Sequence, residues 1–140
     1  MAGLLASLGQ IPEARYHFEQ SVRFKPDYAA GRFEYARLLA ALGETAEAEK
    51  HAKAAVDAEP ALAGAHELWG ALMVNRGELD GAERELEAAV EIAPDFAKAQ
   101  YELGVVLYSK GDSNAAVEHL RLAAKSGYGE AEQFLKKIGK

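Results

Sequence analysis

The sequence predicts an all-α fold of antiparallel helix pairs stacked in 34-residue units, and three observations carry that expectation. The first is repetition: Gly9, Gly43, Gly77 and Gly111 stand 34 residues apart, as do Ala14, Ala48, Ala82 and Ala116. Pro26, Pro60 and Pro94 keep the same interval, and so do Ser21, Ala55, Ala89 and Ala123, all small. Phe18, Ala52, Leu86 and Leu120 form a further apolar file. Independent files in one register mark a repeat architecture. The second is helical spacing: Tyr35, Leu38, Leu39 and Leu42, then Leu68, Leu72 and Met73, recur at three and four residues. The third is composition, which is rich in Ala, Leu, Glu, Lys and Arg, while Thr occurs once and no long stretch alternates apolar with polar residues.

Each element has a local reason. Gly43, Gly77 and Gly111 close the first helix of their units, because only Gly takes the left-handed conformation there without a Cβ penalty. Glu44, Glu78 and Asp112 follow at once and set negative charge at the start of the next helix, where the dipole favours it. Pro12 suits the first turn of a second helix. Pro26, Pro60 and Pro94 stop the second helices and re-aim the chain. Asp27 and Asp95 are expected to cap the helices that follow. Ala61 has no side chain to do this, so the weakest helix start is expected there. The small Ala14, Ala48, Ala82 and Ala116 let paired helices approach at the usual ~8–10 Å, with Trp69, Tyr35 and Leu103 filling the spaces between neighbours.

These markers divide the chain into a truncated first repeat over 1–28, repeats over 29–62, 63–96 and 97–128, and a closing helix within 129–140. Full units begin near Ala29, Ala63 and Ala97. The last unit departs where a Pro is due and reads Ser126-Gly127-Tyr128-Gly129. A short amphipathic helix from about Glu130 to Ile138 follows, with Phe134, Leu135 and Ile138 apolar and Glu132, Lys136, Lys137 and Lys140 polar. Met1 to Leu8 reads as the tail of an incomplete first helix, and the chain is expected to be the C-terminal part of a longer protein.

Composition narrows the function classes. Of 140 residues, 49% are hydrophobic and 27% charged, which fits a folded chain with a core rather than a disordered tail. No apolar run approaches the roughly 20 residues of a membrane helix, and Met1 to Leu8 lacks the basic region of a signal peptide. A cytoplasmic location is the expectation, or a periplasmic one if the parent protein is exported. With no Cys, thiolate metal sites, disulfides and thiol catalysis are excluded. A net charge of −6 lacks the basic footprint of a nucleic-acid or anionic-membrane binder.

The repeat resembles the tetratricopeptide repeat. One unit reads His66-x2-Trp69-Gly70-x2-Met73, then Ala82-x3-Leu86 and Pro94; the next reads Gln100-x2-Leu103-Gly104-x2-Leu107, then Ala116-x3-Leu120. The preceding unit departs, with Ala36 in place of the Gly and Ala52 at the large apolar site. The resemblance covers essentially the whole chain. It implies a right-handed α-α superhelix, a tetratricopeptide solenoid of antiparallel helix pairs with a C-terminal capping helix. It also implies a scaffold that binds a protein or peptide rather than an enzyme, with no cofactor and no small-molecule substrate.

Candidate chemical sites weigh against catalysis. His17, His51 and His119 share one repeat position, with Glu85 in the unit between. A metal-binding ladder would need ligands ~2.0–2.1 Å from one ion, whereas equivalent helices lie on the order of 10 Å apart. A half-exposed, polar-tolerant position is the better reading. There is no phosphate loop, no His-Glu-x-x-His pair and no nucleophile elbow. Glu83, Glu85, Glu87 and Glu91 read as a solvated helix face.

In the family, first helices of successive units line a concave groove. Carried onto this sequence, those positions are Ala30, Phe33, Arg37 and Ala41, then Gly64, Glu67, Ala71 and Asn75, then Lys98, Tyr101, Val105, Tyr108 and Ser109. The resemblance therefore implies a partner peptide or helix held by Ala30, Phe33, Arg37, Glu67, Ala71, Asn75, Lys98, Tyr101, Val105 and Tyr108. Phe33, Tyr101 and Tyr108 could equally pack between helices. The family's charged clamp for chaperone C-termini maps to Phe33, Arg37, Leu68, Lys98 and Glu102, where only Lys98 agrees, so such a ligand is not expected. Two alternatives remain: a monomer that self-associates weakly through Leu4, Leu5 and Leu8, and a single-stranded RNA binder, which the acidic charge disfavours.

Overall fold

A computed structural model describes residues 11–140. Met1 to Leu8, with the proposed self-association leucines, and Gly9 lie outside the described residues. Among those described, the chain forms helices and no strand. They are α1 (Ile11–Phe24), α2 (Ala29–Ala41), α3 (Thr45–Ala58), α4 (Ala63–Asn75), α5 (Leu79–Ile92), α6 (Ala97–Ser109), α7 (Ser113–Lys125) and α8 (Gly129–Lys137). The chain divides into two compact units, Met1–Leu68 and Trp69–Lys140, the division falling inside α4.

Gly43, Gly77 and Gly111 have φ of 80°, 82° and 94°, the left-handed values predicted for helix-closing glycines. Each closes with the same pair of hydrogen bonds. Glu44 N–H donates to Leu39 O at 2.9 Å while Gly43 N–H donates to Ala40 O at 3.1 Å. The pairs at Glu78–Met73 with Gly77–Val74, and at Asp112–Leu107 with Gly111–Tyr108, repeat this arrangement. Gly127, with φ of 90°, ends α7 in the same manner where a Pro would end a second helix. Glu44, Glu78 and Asp112 occupy the N-cap positions of α3, α5 and α7, and Asp112 also accepts a hydrogen bond from Ala115 N–H at 3.2 Å.

The caps expected at Asp27 and Asp95 are not formed. The N-caps of α2 and α6 are Tyr28 and Phe96, with no side-chain hydrogen bond at either. The reason is the turn that precedes them. Tyr28 N–H donates to Lys25 O, Leu62 N–H to Glu59 O and Phe96 N–H to Ala93 O, at 3.1, 3.1 and 3.0 Å. The Pro and the residue after it are thereby the two central residues of a four-residue turn, and Asp falls one position short of the cap. Ala61 holds the same central position, so the special weakness expected of its helix has no basis.

In the first unit, Ala14, Leu39, Ala48, Ala52 and Ala55 are fully buried, and Phe18, Tyr35 and Leu38 are nearly so. The Phe18 and Tyr35 rings stack with centroids 5.9 Å apart. The Tyr35 hydroxyl donates to Glu19 Oε1 at 3.1 Å, and Arg15 pairs with both Glu19 and Glu44. This network ties α1 to α2 and to the start of α3. In the second unit, Leu86, Leu103, Val106 and Ala116 form one core cluster with Trp69 packed against it. Val117, Leu120, Ala131 and Leu135 form another, which seats the closing helix α8.

Within that unit the paired helices touch at glycine. A Cβ on Gly104 would stand 2.7 Å from Leu120 Cγ and 3.1 Å from Ala116 O; one on Gly70 would stand 2.9 Å from Leu86 Cγ. In the first unit the same two repeat positions hold Ala36 and Ala52, both fully buried. The two departures from the repeat pattern therefore compensate: Gly faces Leu, and Ala faces Ala.

Gly104→Ala is expected to lower stability by about 1–2 kcal/mol in urea unfolding, overpacking outweighing the gain in helix propensity. Leu120→Ala should cost about 2–5 kcal/mol by opening a cavity. In that background the cost of Gly104→Ala should shrink toward what the Ala116 carbonyl alone imposes, a coupling that independent sites would not give.

Candidate functional site

The sequence-predicted partner-binding residues fall in both units, and each unit is taken by itself. In the first, α2 exposes Ala30 and Arg37. Phe33 is half-buried with its ring against Gly64, where a Cβ would meet the ring 2.9 Å away. The Arg37 guanidinium sits 5.8 Å from the centre of that ring and also pairs with Glu34 at 3.2 Å, one turn earlier. Phe33 is thus a packing residue whose outer surface carries an arginine. Glu67 is buried, so it contributes little of the unit's accessible surface.

In the second unit, α4 and α6 enclose an open depression of about 310 Å³. It is lined by Ala71, Val74 and Asn75 from α4 and by Tyr101, Glu102, Val105 and Val106 from α6. Four of the predicted residues, Ala71, Asn75, Tyr101 and Val105, meet there. Helical geometry explains the set, because residues three and four apart share a face. That same spacing was the signal for Val74, Glu102 and Val106, which the carry-over from the family did not select for partner binding. Lys98 is exposed one turn before Glu102 and lies outside the lining.

The aromatic residues of α6 turn toward the closing helix as well. Tyr101 lies 5.2 Å from the Tyr128 ring and 6.3 Å from that of Phe134, and Tyr108 meets Phe134 edge-on at 5.5 Å. Tyr108 nevertheless keeps 39% of its surface exposed. Burial, followed by the nearby Glu130 and Glu102 carboxylates, pushes the Tyr101 hydroxyl above its ordinary range. Tyr101 both seats α8 and borders the depression.

The histidine positions differ in exposure: His119 is half-buried, as expected, whereas His51 is buried. Each belongs to a polar clasp built on the inter-repeat turn. Arg32 Nε donates to Pro26 O at 2.9 Å while its Nη1 reaches His51 Nδ1 at 2.9 Å. Gln100 Nε2 donates to Pro94 O at 3.0 Å while its Oε1 meets His119 Nδ1 at 2.7 Å. His66 Nε2 reaches Pro60 O at 2.8 Å. Arg32, His66 and Gln100 share one repeat position and three different side chains, and each gives an N–H to the proline carbonyl.

The clasps dictate opposite tautomers. Arg32 has donors only, so His51 Nδ1 must accept and its proton sits on Nε2, with Glu47 Oε2 3.9 Å away. Gln100 offers its carbonyl, so His119 Nδ1 must donate. Burial and then the Arg32 charge hold His51 below its ordinary value near 6.5; burial does the same to His119. Among the described residues no three His, Cys, Asp or Glu side chains gather as metal ligands would. Glu83 and Asp80 hold Lys110 Nζ at 2.6 and 2.7 Å, and Glu87 is pushed upward by burial and by Glu83.

A chain of 34-residue helix pairs, closed by glycine, joined by Pro turns and offering a first-helix face, is a helical-repeat interaction module. Comparison with known families names the class. Profiles described as tetratricopeptide repeat match residues 5–72 and 97–126, and one described as TPR repeat matches residues 70–111. The chain belongs to the tetratricopeptide repeat family, whose fold is generally a non-enzymatic protein-interaction scaffold.

Solved structures share the fold. MamA residues 41 to end from Desulfovibrio magneticus RS-1 is 24% identical with a TM-score of 0.79, covering 92% of this chain and 73% of its own. Another MamA crystal structure is 18% identical with a TM-score of 0.81, covering 98% and 91%. TTC0263, a thermophilic TPR protein in Thermus thermophilus, is 20% identical with a TM-score of 0.76, covering 99% and 79%. No curated protein sequence gives a match.

The His51 clasp makes stability depend on pH with a defined sign. Its native pKa lies below the unfolded value near 6.5, so its contribution is complete above that pH. As pH falls further, the unfolded state takes up a proton the native state refuses, and stability declines until the native pKa is passed. Thermal melting should be level between about pH 8 and 7 and drop below about 6.5. His51→Gln, which still accepts from Arg32 but does not titrate, should remove much of that drop. His119→Gln should remove less, because a protonated His119 still donates to Gln100.

Proposed function

We propose that this chain holds a peptide or helix of a partner protein against the face formed by its first helices. The single observation that carries the reading is the convergence of Ala71, Asn75, Tyr101 and Val105 on one open depression of about 310 Å³ between α4 and α6. An apolar floor with a few placed polar groups is what a recognition site requires. Asn75 supplies both a donor and an acceptor at the rim, suited to the backbone of a bound segment. Tyr101 supplies rigid amphipathic area at low entropic cost. In the first unit, the exposed Arg37 over Phe33 offers a separate polar and aromatic contact. Family membership supports a scaffold role; the choice of face rests on this geometry.

Selection of a random twelve-residue displayed peptide library on the full chain tests the face directly. Bound peptides should shift the amide resonances of residues 71–75 and 101–106 above all others. Asn75→Ala should weaken them about threefold to tenfold, the value of one or two polar contacts, with the melting temperature unchanged. Resonance shifts confined to α3, α5 and α7 would overturn the assignment.

A further inference from the structure

We propose that the α4–α6 depression selects partner segments carrying a lysine or arginine beside an aliphatic side chain, with Glu102 as the group that receives the cation. This deepens, and rests on, the reading of that face as the partner site. Of the seven residues lining the depression, four are aliphatic, one is Tyr101, one is Asn75, and the only carboxylate is that of Glu102. One of its oxygens is shielded from solvent, so the charge acts from a place where water screens it less than at the surface. On the α8 side the sign is the same, while Lys98 is exposed one turn before Glu102, outside the lining. Glu130, at the start of α8, stands close enough to act on the Tyr101 hydroxyl together with Glu102. The chain as a whole carries −6, which draws cationic segments toward it at longer range.

The alternatives fit less well. An acidic segment would bring its carboxylate to Glu102 and Glu130 and be repelled. A wholly apolar segment would fill the Ala71, Val74, Val105 and Val106 surface but press a hydrocarbon against a carboxylate and strip it of water, which is costly. A long basic side chain meets both demands, since its methylene stem lies along the valines and its charged head reaches the carboxylate. Arg has a further advantage beside Tyr101, because a guanidinium can stack on the ring while pairing with Glu102.

The same peptide selection, read at the level of sequence, tests this. Peptides mapped to residues 71–75 and 101–106 should be enriched in Lys or Arg within one to four positions of Leu, Ile, Val or Met. Replacing that Arg by citrulline, which keeps the shape and removes the charge, should weaken binding by roughly tenfold or more. E102Q should give a similar loss, and E102K should shift the selected sequences toward Asp and Glu. The citrulline peptide needs no protein variant, so the test stands even if a change at Glu102 disturbs the fold. Peptides that map to this face yet show no basic enrichment, and tolerate both citrulline and E102Q, would overturn the inference while leaving the binding face intact. Peptides that map elsewhere would overturn both.

Discussion

The constraint on which the second unit depends is the approach of α6 to α7 at Gly104, where the Leu120 side chain and the Ala116 carbonyl lie against a backbone with no Cβ between them. The same contact recurs between Gly70 and Leu86. Both leucines are completely buried, so each is a knob whose hole is made by the absence of an atom. Helix propensity opposes this choice, because an interior glycine costs about 1 kcal/mol against alanine. Packing wins, since a fully buried leucine returns about 1.5–3 kcal/mol of burial alone. At the same two repeat positions the first unit holds Ala36 and Ala52, a smaller pair, and both are fully buried. What these units share at the crossing is burial of the facing pair, reached with Gly and Leu in one unit and with two alanines, of smaller total size, in the other.

The turns show a second economy. A stretch that ends one helix, reverses and begins another leaves carbonyls and N–H groups in need of partners. Side-chain caps meet little of that need here, because the Pro turn sets Tyr28 and Phe96 at the cap positions of α2 and α6. The proline carbonyl is met instead from within the helix that follows, by Arg32, His66 or Gln100. Two of these side chains then reach a histidine on the second helix, so one residue secures the turn and both helices of its unit. Such a clasp accepts any side chain with an N–H of the right reach, which is why three chemically different residues share the position.

These features set what could be read from the sequence. Helix-closing glycines were legible because a positive φ leaves almost no other choice, and the alanine files because no larger residue fits between paired helices. The helix boundaries at Ala29, Ala63 and Ala97 followed from the same punctuation. The caps were misplaced by one residue, since whether Pro-Asp forms the centre of a turn or its exit depends on the hydrogen bond from the next N–H, which spacing does not reveal. The burial of His51 was missed for a related reason. His17, His51 and His119 look equivalent in register, but among the described residues the clasp is formed at His51 and His119, and His17 lies exposed on α1. The pairing runs to a side chain nineteen residues earlier on the preceding helix, a contact that the three- and four-residue spacing within one helix does not encode.

The candidate face was half legible, and Tyr101 shows where the limit lies. Its repeat position turns it toward the first-helix surface, and there it borders the depression beside Ala71 and Asn75. Yet α8 also lies on it, with Tyr128 and Phe134 covering the ring. A repeat pattern marks the position but not the neighbour, and here α8 packs on α6 and takes some of the aromatic surface. The consequence is chemical as well as steric. α8 begins with Gly129, Glu130 and Ala131, and the carboxylate that its first turn favours for the helix dipole comes to act on Tyr101. The residue type that helps α8 to start thus adds negative charge near Tyr101. The helix that packs on this core cluster thus also contributes charge beside the proposed binding face.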